Sequence, residues 1–157
     1  MKFPGQFDND DDLENMEERT REIIIPARNA PVRVNWDNPA KTILRYDFTD
    51  RWSWKDIYAA KNIGDAMIES VPHGVGVMFV LPSNATLPEN AISNVRSLIK
   101  SAHRRVYASV FVSNSVYVKT IYNVLKQVYK PLTKNFLHAD NVEKAHTLLA
   151  ALSPNHR

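Results

Sequence analysis

The sequence predicts an α/β domain built on a mixed, mostly parallel sheet, with an N-terminal β-hairpin and helices on both sheet faces. Three observations predict it. Two runs rich in β-branched and aromatic residues, VRVNWD and TILRYDF, flank the turn-forming NPAK, the pattern of a hairpin. Beyond residue 50, helical periodicity alternates with short apolar runs, giving the order β-β-α-β-α-β-α-β-α. Finally, 157 residues with 44% hydrophobic side chains are enough for one buried core. Such alternation favours right-handed crossovers between parallel strands. The first hairpin strand is then expected at an antiparallel edge.

The elements follow in chain order. After the hairpin, Ile57, Ala60, Gly64, Met67, Ile68 and Val71 recur at helical spacing. Ser53 and Asp56 are spaced as a capping box, so this helix should start near Trp54. GVGVMFVL, residues 74–81, is a continuous apolar run and predicts a strand covered on both faces. Pro88 suits the first turn of the next helix, because it has no N–H to leave unpaired. Ala91, Ile92, Val95, Leu98, Ile99 and Ala102 supply its apolar stripe. RVYASVFVS, 105–113, is the next buried strand, and 115–129 the next helix, with Pro131 beyond its end. KNFLHA, 134–139, is a last short strand. In the last helix, 140–152, Asp140 and Glu143 have capping-box spacing.

Charge divides the chain. Residues 1–22 hold eight acids against three bases, a net of −5 in a chain whose total is +3, so the remainder carries +8. The expected organisation is an acidic, disordered tail over 1–22, a linker or short strand over 23–30, the domain over 31–152 and a C-terminal tail over 153–157. The tail is either a solvated arm or a strap that lies on the basic face and competes with an anionic partner. Cysteine is absent, which excludes disulfides, thiol catalysis and thiolate metal sites and suits a reducing cytoplasm. The acidic start is unlike a secretory signal. No run approaches the ~20 apolar residues of a membrane span. A cytoplasmic protein is expected.

With VNWD, RWSWKDIYAA, TLPENAIS and LHADNVEKAHTLL in that element order, the chain resembles a STAS domain, the anti-sigma-factor-antagonist fold. The resemblance covers about residues 31–152 and is nearest to a stand-alone type. It implies a partner-binding edge at the loop before the second helix, here Pro82, Ser83, Asn84, Thr86, Glu89 and Asn90. Phosphorylatable members carry Asp-Ser-Ser/Thr-Gly there. Laid without gaps, that motif falls on Pro88-Glu89-Asn90-Ala91, so both hydroxyls are gone and no serine phosphoswitch is expected. Glu89 then reads as a helix-stabilising acid in the first turn or as a constitutive phosphomimic. Ser83 and Thr86 read as turn and cap residues. Asn84-Ala-Thr has the glycosylation pattern, but a cytoplasmic chain would not meet the enzyme.

Catalytic chemistry finds little support. The five histidines, at 73, 103, 138, 146 and 156, form no close ligand pair, although His138 and His146 remain candidates to meet in space. Nucleophile-elbow, P-loop and dinucleotide fingerprints are absent. Asp47, Asp50 and Asp56 read as turn and cap acids or as a weak cation site. No catalytic residue, metal or cofactor is expected. Arg96, Lys100, Arg104 and Arg105 mark a basic face, either simply solvated or able to dock an acidic partner or nucleic acid. On the third helix, Tyr117, Ile121, Val124 and Val128 form one stripe and Val118, Tyr122, Leu125 and Tyr129 a second. Together they span roughly 160° of the surface. Burial between neighbours explains that width; so does self-association through the first stripe.

The leading expectation is a non-catalytic regulatory or scaffolding domain that acts by binding another protein. One alternative is a small-molecule or lipid-binding module of STAS/CRAL-TRIO-like type, which needs an apolar cavity. Nucleic-acid binding through the basic helix face is the other.

Overall fold

The hairpin forms around Asn38. Its side-chain oxygen accepts the Thr42 and Ile43 N–H groups at 3.0 and 3.3 Å, and its amide donates to the Thr42 hydroxyl at 2.6 Å. This side chain stands in for backbone partners in the turn, with Lys41 left-handed at φ 58°. The flanking strands are β1 (Val32–Trp36) and β2 (Ile43–Phe48). The structure, a computed structural model, describes residues 30–154. The expected acidic tail, nearly all of the linker, and residues 155–157 lie outside the described residues.

Three parallel strands follow: β3 (Val75–Val80), β4 (Val106–Val112) and β5 (Phe136–Ala139). The sheet order is β1-β2-β3-β4-β5, with only β1 antiparallel to its neighbour. The predicted element order and antiparallel edge are both present. The helices are α1 (Trp54–Glu69), α2 (Ala91–Lys100), α3 (Val116–Val128) and α4 (Val142–Leu152). Because each crossover steps to the adjacent strand, α1, α2 and α3 fall on one face. There they pack on Leu44, Val77, Phe111 and Phe136. Helix α4 turns back over the other face, onto Met78, Val110 and Val112.

Helix α1 starts as predicted. The Ser53 hydroxyl accepts the Asp56 N–H, and the Asp56 carboxylate accepts the Ser53 N–H at 2.8 Å. Its last carbonyls, on Ile68, Glu69 and Val71, accept from the Arg105 guanidinium, which satisfies the orphan acceptors of that end. Two expected starts move. Helix α2 begins at Ala91, not at Pro88, because Asn90 is left-handed at φ 64° and breaks the helical path. Glu89 therefore lies outside the first turn, and neither the helix-stabilising nor the phosphomimic reading retains its geometry. In α4 the cap is Asn141, whose oxygen accepts the Lys144 N–H at 2.9 Å. Asp140 instead pairs with Lys119 at 2.9 Å and Lys144 at 3.5 Å, and those ammonium groups lower its carboxyl pKa.

Strand β4 carries a bulge. Val75 pairs with Val106 and Gly76 with Ala108, leaving Tyr107 as the extra residue. Its ring swings toward α4, where the hydroxyl donates to the Leu149 carbonyl at 3.0 Å. Gly76 makes that possible, since a Cβ there would lie 2.7 Å from the tyrosine hydroxyl.

Candidate functional site

The face beneath α1, α2 and α3 is floored by rings. Register places Tyr46, Phe79 and Phe111 side by side on three strands. Tyr46 stacks on Phe79 at 4.9 Å, Phe79 meets Phe111 edge-on at 5.7 Å, and Phe111 meets Phe136 at 4.8 Å. Phe48, Trp52 and Trp54 extend the series toward the start of α1. Rings that pack against one another in this way bury part of their surface within the sheet layer. Helix α1 seats Gly64 directly on Tyr46 and Leu44, whereas only Ala91 and Val95 of the ten residues of α2 are buried.

A cavity of about 300 Å³ results, at the lower end of ordinary ligand pockets. At the carboxyl ends of the strands its walls are Phe48, Trp52, Trp54, Leu81 and Leu87. Near the amino ends of β4 and β5 it is lined by Lys61, Asp65, His103, Ser109, Lys134 and Asn135. Tyr46 is 3% exposed and lines the cavity, with its hydroxyl set against Gly64 of α1. Burial, aided by the Asp65 carboxylate, raises its pKa far above the ordinary phenol value, so it is a neutral donor. Among the described residues the buried side-chain polar atom without a hydrogen-bond partner is Arg96 Nε. The Ser109 hydroxyl also lacks a protein partner.

Helix α1 holds α2 over this space along one stripe. The Trp54 indole donates to the Glu89 carbonyl at 2.6 Å, the Tyr58 hydroxyl to the Asn94 side-chain oxygen at 2.9 Å, and the Lys61 ammonium to the Ser101 carbonyl at 2.8 Å. Positions 54, 58 and 61 share a helix face. Lys61 also pairs with Asp65 at 2.7 Å. Next to it, His103 Nδ1 accepts the Arg105 N–H at 3.1 Å, so Nε2 carries the proton and donates to Glu69 at 2.7 Å. That hydrogen bond, with Arg105 nearby, lowers the Glu69 carboxyl pKa.

The loop singled out in the sequence is pinned by its backbone and displays its side chains. Ala85 and Leu87 are buried. The Ala85 carbonyl accepts from Ser115, the α3 cap, at 2.8 Å, and the Glu89 carbonyl accepts from Trp54. Pro82 is half-buried; Ser83, Asn84, Thr86, Glu89 and Asn90 are exposed. The Ser83 and Thr86 hydroxyls cap no helix: Asn90 and Ser115 hold the N-cap positions beside the loop. The basic residues divide. Lys100 and Arg104 are exposed, Arg105 caps α1, and Arg96 lies over the Tyr129 ring at 5.1 Å.

Helix α3 is not enclosed. Val118 and Leu125 are buried and Ile121 is half-buried, whereas Tyr117, Val124 and Val128 face outward. His138 binds the Ser113 carbonyl and His146 the Asp37 carboxylate, each at 2.7–2.8 Å, so they do not form a pair. Asp47 pairs with Arg45, and Asp56 serves the α1 cap. Among the described residues no acidic or histidine group is arranged to hold a metal, and no helix is long and apolar enough to cross a membrane.

Sequence reasoning passed over Tyr46, Lys61, Asp65 and Ser109. Two signals pointed to them. Gly64 sits in the interior of α1, and a Cβ there would overlap the Tyr46 hydroxyl; Ser109 interrupts the apolar run VYASVFV. Set against known protein families, curated proteins and solved structures, the chain matches none of them.

Proposed function

We propose that this chain is a non-catalytic, STAS-like regulatory domain that takes a small, largely apolar molecule between its sheet and α2. The observation that carries this reading is the ring-floored cavity beneath α2, with Trp52, Trp54, Phe79 and Phe111 among its walls. It favours the ligand-binding alternative read from the sequence and joins it to the regulatory one. The roof of the cavity, α2 and the 82–90 loop, is the edge that the resemblance marks for partner binding. Occupancy and partner recognition would therefore share one element. Trp52 and Trp54 line the cavity and provide the test. Titration with an apolar fluorescent probe should give saturable, one-site energy transfer from tryptophan. Ser109→Leu, which fills the space, should abolish it. Transfer that survives in the filled variant would refute the reading.

A second reading rests on a different surface. Val116, Tyr117, Val124 and Val128 leave an apolar stripe on α3 exposed by 38–78%. It supports docking of a protein, including a second copy of this chain, independently of the cavity.

A further inference from the structure

Helices α2 and α3 carry a charge pattern that bears on what covers the exposed stripe. This step rests on the reading of α3 as a docking face. We propose that the partner is an acidic amphipathic helix of another protein, laid along α3 with its apolar seam on Tyr117, Val124 and Val128 and its carboxylates toward Arg96 and Lys130.

Spacing fits a helix. Tyr117, Ile121, Val124 and Val128 recur at intervals of four, three and four, the seam along which two helices pack side by side. Ile121 is half-buried and the other three are exposed, so the seam lies open along its length. Thr120, Asn123 and Gln127 beside it are exposed and uncharged, so docking there strips no charge of its water. Charge sets the sign. From residue 90 to residue 139 the chain holds eight lysines and arginines and no acid. Four of the eight are in use: Arg105 at the end of α1, Arg104 beside Glu69, Lys119 on Asp140 and Lys126 on the Thr133 carbonyl. Arg96, Lys100, Lys130 and Lys134 have no carboxylate partner among the described residues. Lys100 lies in the last turn of α2 and Lys130 just past α3, where the helix dipole already favours a cation. Arg96, in the middle of α2, has no such use. It is half-buried, its guanidinium lies over the Tyr129 ring at 5.1 Å, and its buried Nε makes no hydrogen bond. That contact sets the charge at the Val128 end of the seam. A guanidinium partly out of water and unpaired gains more from a carboxylate than a hydrated lysine does. A second copy would bring another acid-free surface against this one. Nucleic acid would use the charge and leave the valines idle. An acidic amphipathic helix uses both.

The test uses the full chain and three fluorescein-labelled helical peptides of equal length, read by fluorescence anisotropy. The first has leucines at the seam spacing and glutamates at most other positions. The second replaces those glutamates with lysines, and the third scrambles the first. The glutamate peptide should bind at least about tenfold tighter than either of the others, as expected for complementary charge on an apolar seam, and should weaken as salt is raised. Val124→Asp, at an exposed position, should weaken it by about tenfold or more. Arg96→Gln should weaken it several-fold, and so should Lys130→Gln, which disturbs no ring contact. Equal binding of the glutamate and lysine peptides, tighter binding of a single-stranded DNA oligonucleotide, or indifference to both Arg96→Gln and Lys130→Gln would overturn the acidic partner while leaving α3 as a docking face. Dimerisation of the chain that Val124→Asp abolishes would overturn it in favour of a second copy. Indifference to Val124→Asp, or failure of all three peptides to bind, would overturn both.

Discussion

The two faces of the sheet solve the same packing problem in opposite ways. Under α4, small and branched residues let helix and sheet approach closely. Met78, Val110, Ala145 and Leu149 are all fully buried there, and Gly76 even admits a tyrosine hydroxyl. Under α1 and α2, large rings stack on one another; α1 seats Ile57, Ala60, Gly64 and Ile68 on the sheet, whereas α2 buries only Ala91 and Val95. On the first face Ala145 and Leu149 are sealed completely, and the space left is a shallow pocket of about 320 Å³ at the rim between α4 and the end of β5; on the second the space, about 300 Å³, runs in beneath the helices. The contrast shows that aromatic content does not by itself make a tight core. Rings that satisfy each other across strands can leave the layer above them short of material.

The comparison breaks most sharply with truncation. Leu149→Ala, on the filled face, should cost about 2–5 kcal/mol in denaturant unfolding, because α4 has no slack with which to close the gap. Leu98→Ala, beside the existing cavity, should cost less than half as much. Equal losses would mean that both faces are packed alike.

A smaller effect should appear at Gly64. Gly64→Ala forces a methyl group onto the Tyr46 hydroxyl and should cost about 1–3 kcal/mol, the usual range for overpacking. Tyr46→Phe should recover much of that loss in a double-mutant cycle, as directly contacting residues couple. The same tyrosine gives a pH signature. Its folded pKa is raised by burial and by Asp65, so its contribution to stability is complete below the unfolded phenol pKa. The contribution is lost as pH climbs from there toward the folded value. Tyr46→Phe should flatten that alkaline decline, read as melting temperature against pH.

The smallest expected change sharpens the comparison from the other side. Ser109→Leu adds bulk to the hollow face and should leave stability level or raise it by up to about 1 kcal/mol. Ala145→Leu adds similar bulk to the filled face and should cost about 1–3 kcal/mol. A clear loss in Ser109→Leu would show that the cavity cannot take a side chain.

How far the sequence reveals this molecule follows from which forces act locally. Turn and cap chemistry is local, so the hairpin around Asn38 and the Ser53 box at α1 were legible in it. Alternating apolar runs also reveal the order of elements along the chain and the mostly parallel sheet, while the order of strands within the sheet emerges only in the structure. The start of α2 was not legible. Pro88 does suit a first turn, but the indole of Trp54, far away in sequence, holds the Glu89 carbonyl, and Asn90 turns the chain. The cavity was hidden for a related reason. Tyr46, Lys61, Ser109 and Lys134 lie on separate elements, and an empty volume is a property of what fails to meet. Gly64 and Ser109 were its only local traces, each ordinary when read alone. The breadth of the α3 stripe was visible, yet which half would face inward depends on tertiary packing: Val118 and Leu125 are buried, and Tyr117, Val124 and Val128 are exposed.

The three bonds from Trp54, Tyr58 and Lys61 to α2 have a consequence for time as well as shape. They anchor the start, middle and end of one short helix to one stripe of its neighbour. A helix tied in this way cannot peel from one end without the other ties resisting, and it departs readily only when several give way together. Its motions would then follow those of α1, so that the two helices shift over the sheet as a pair.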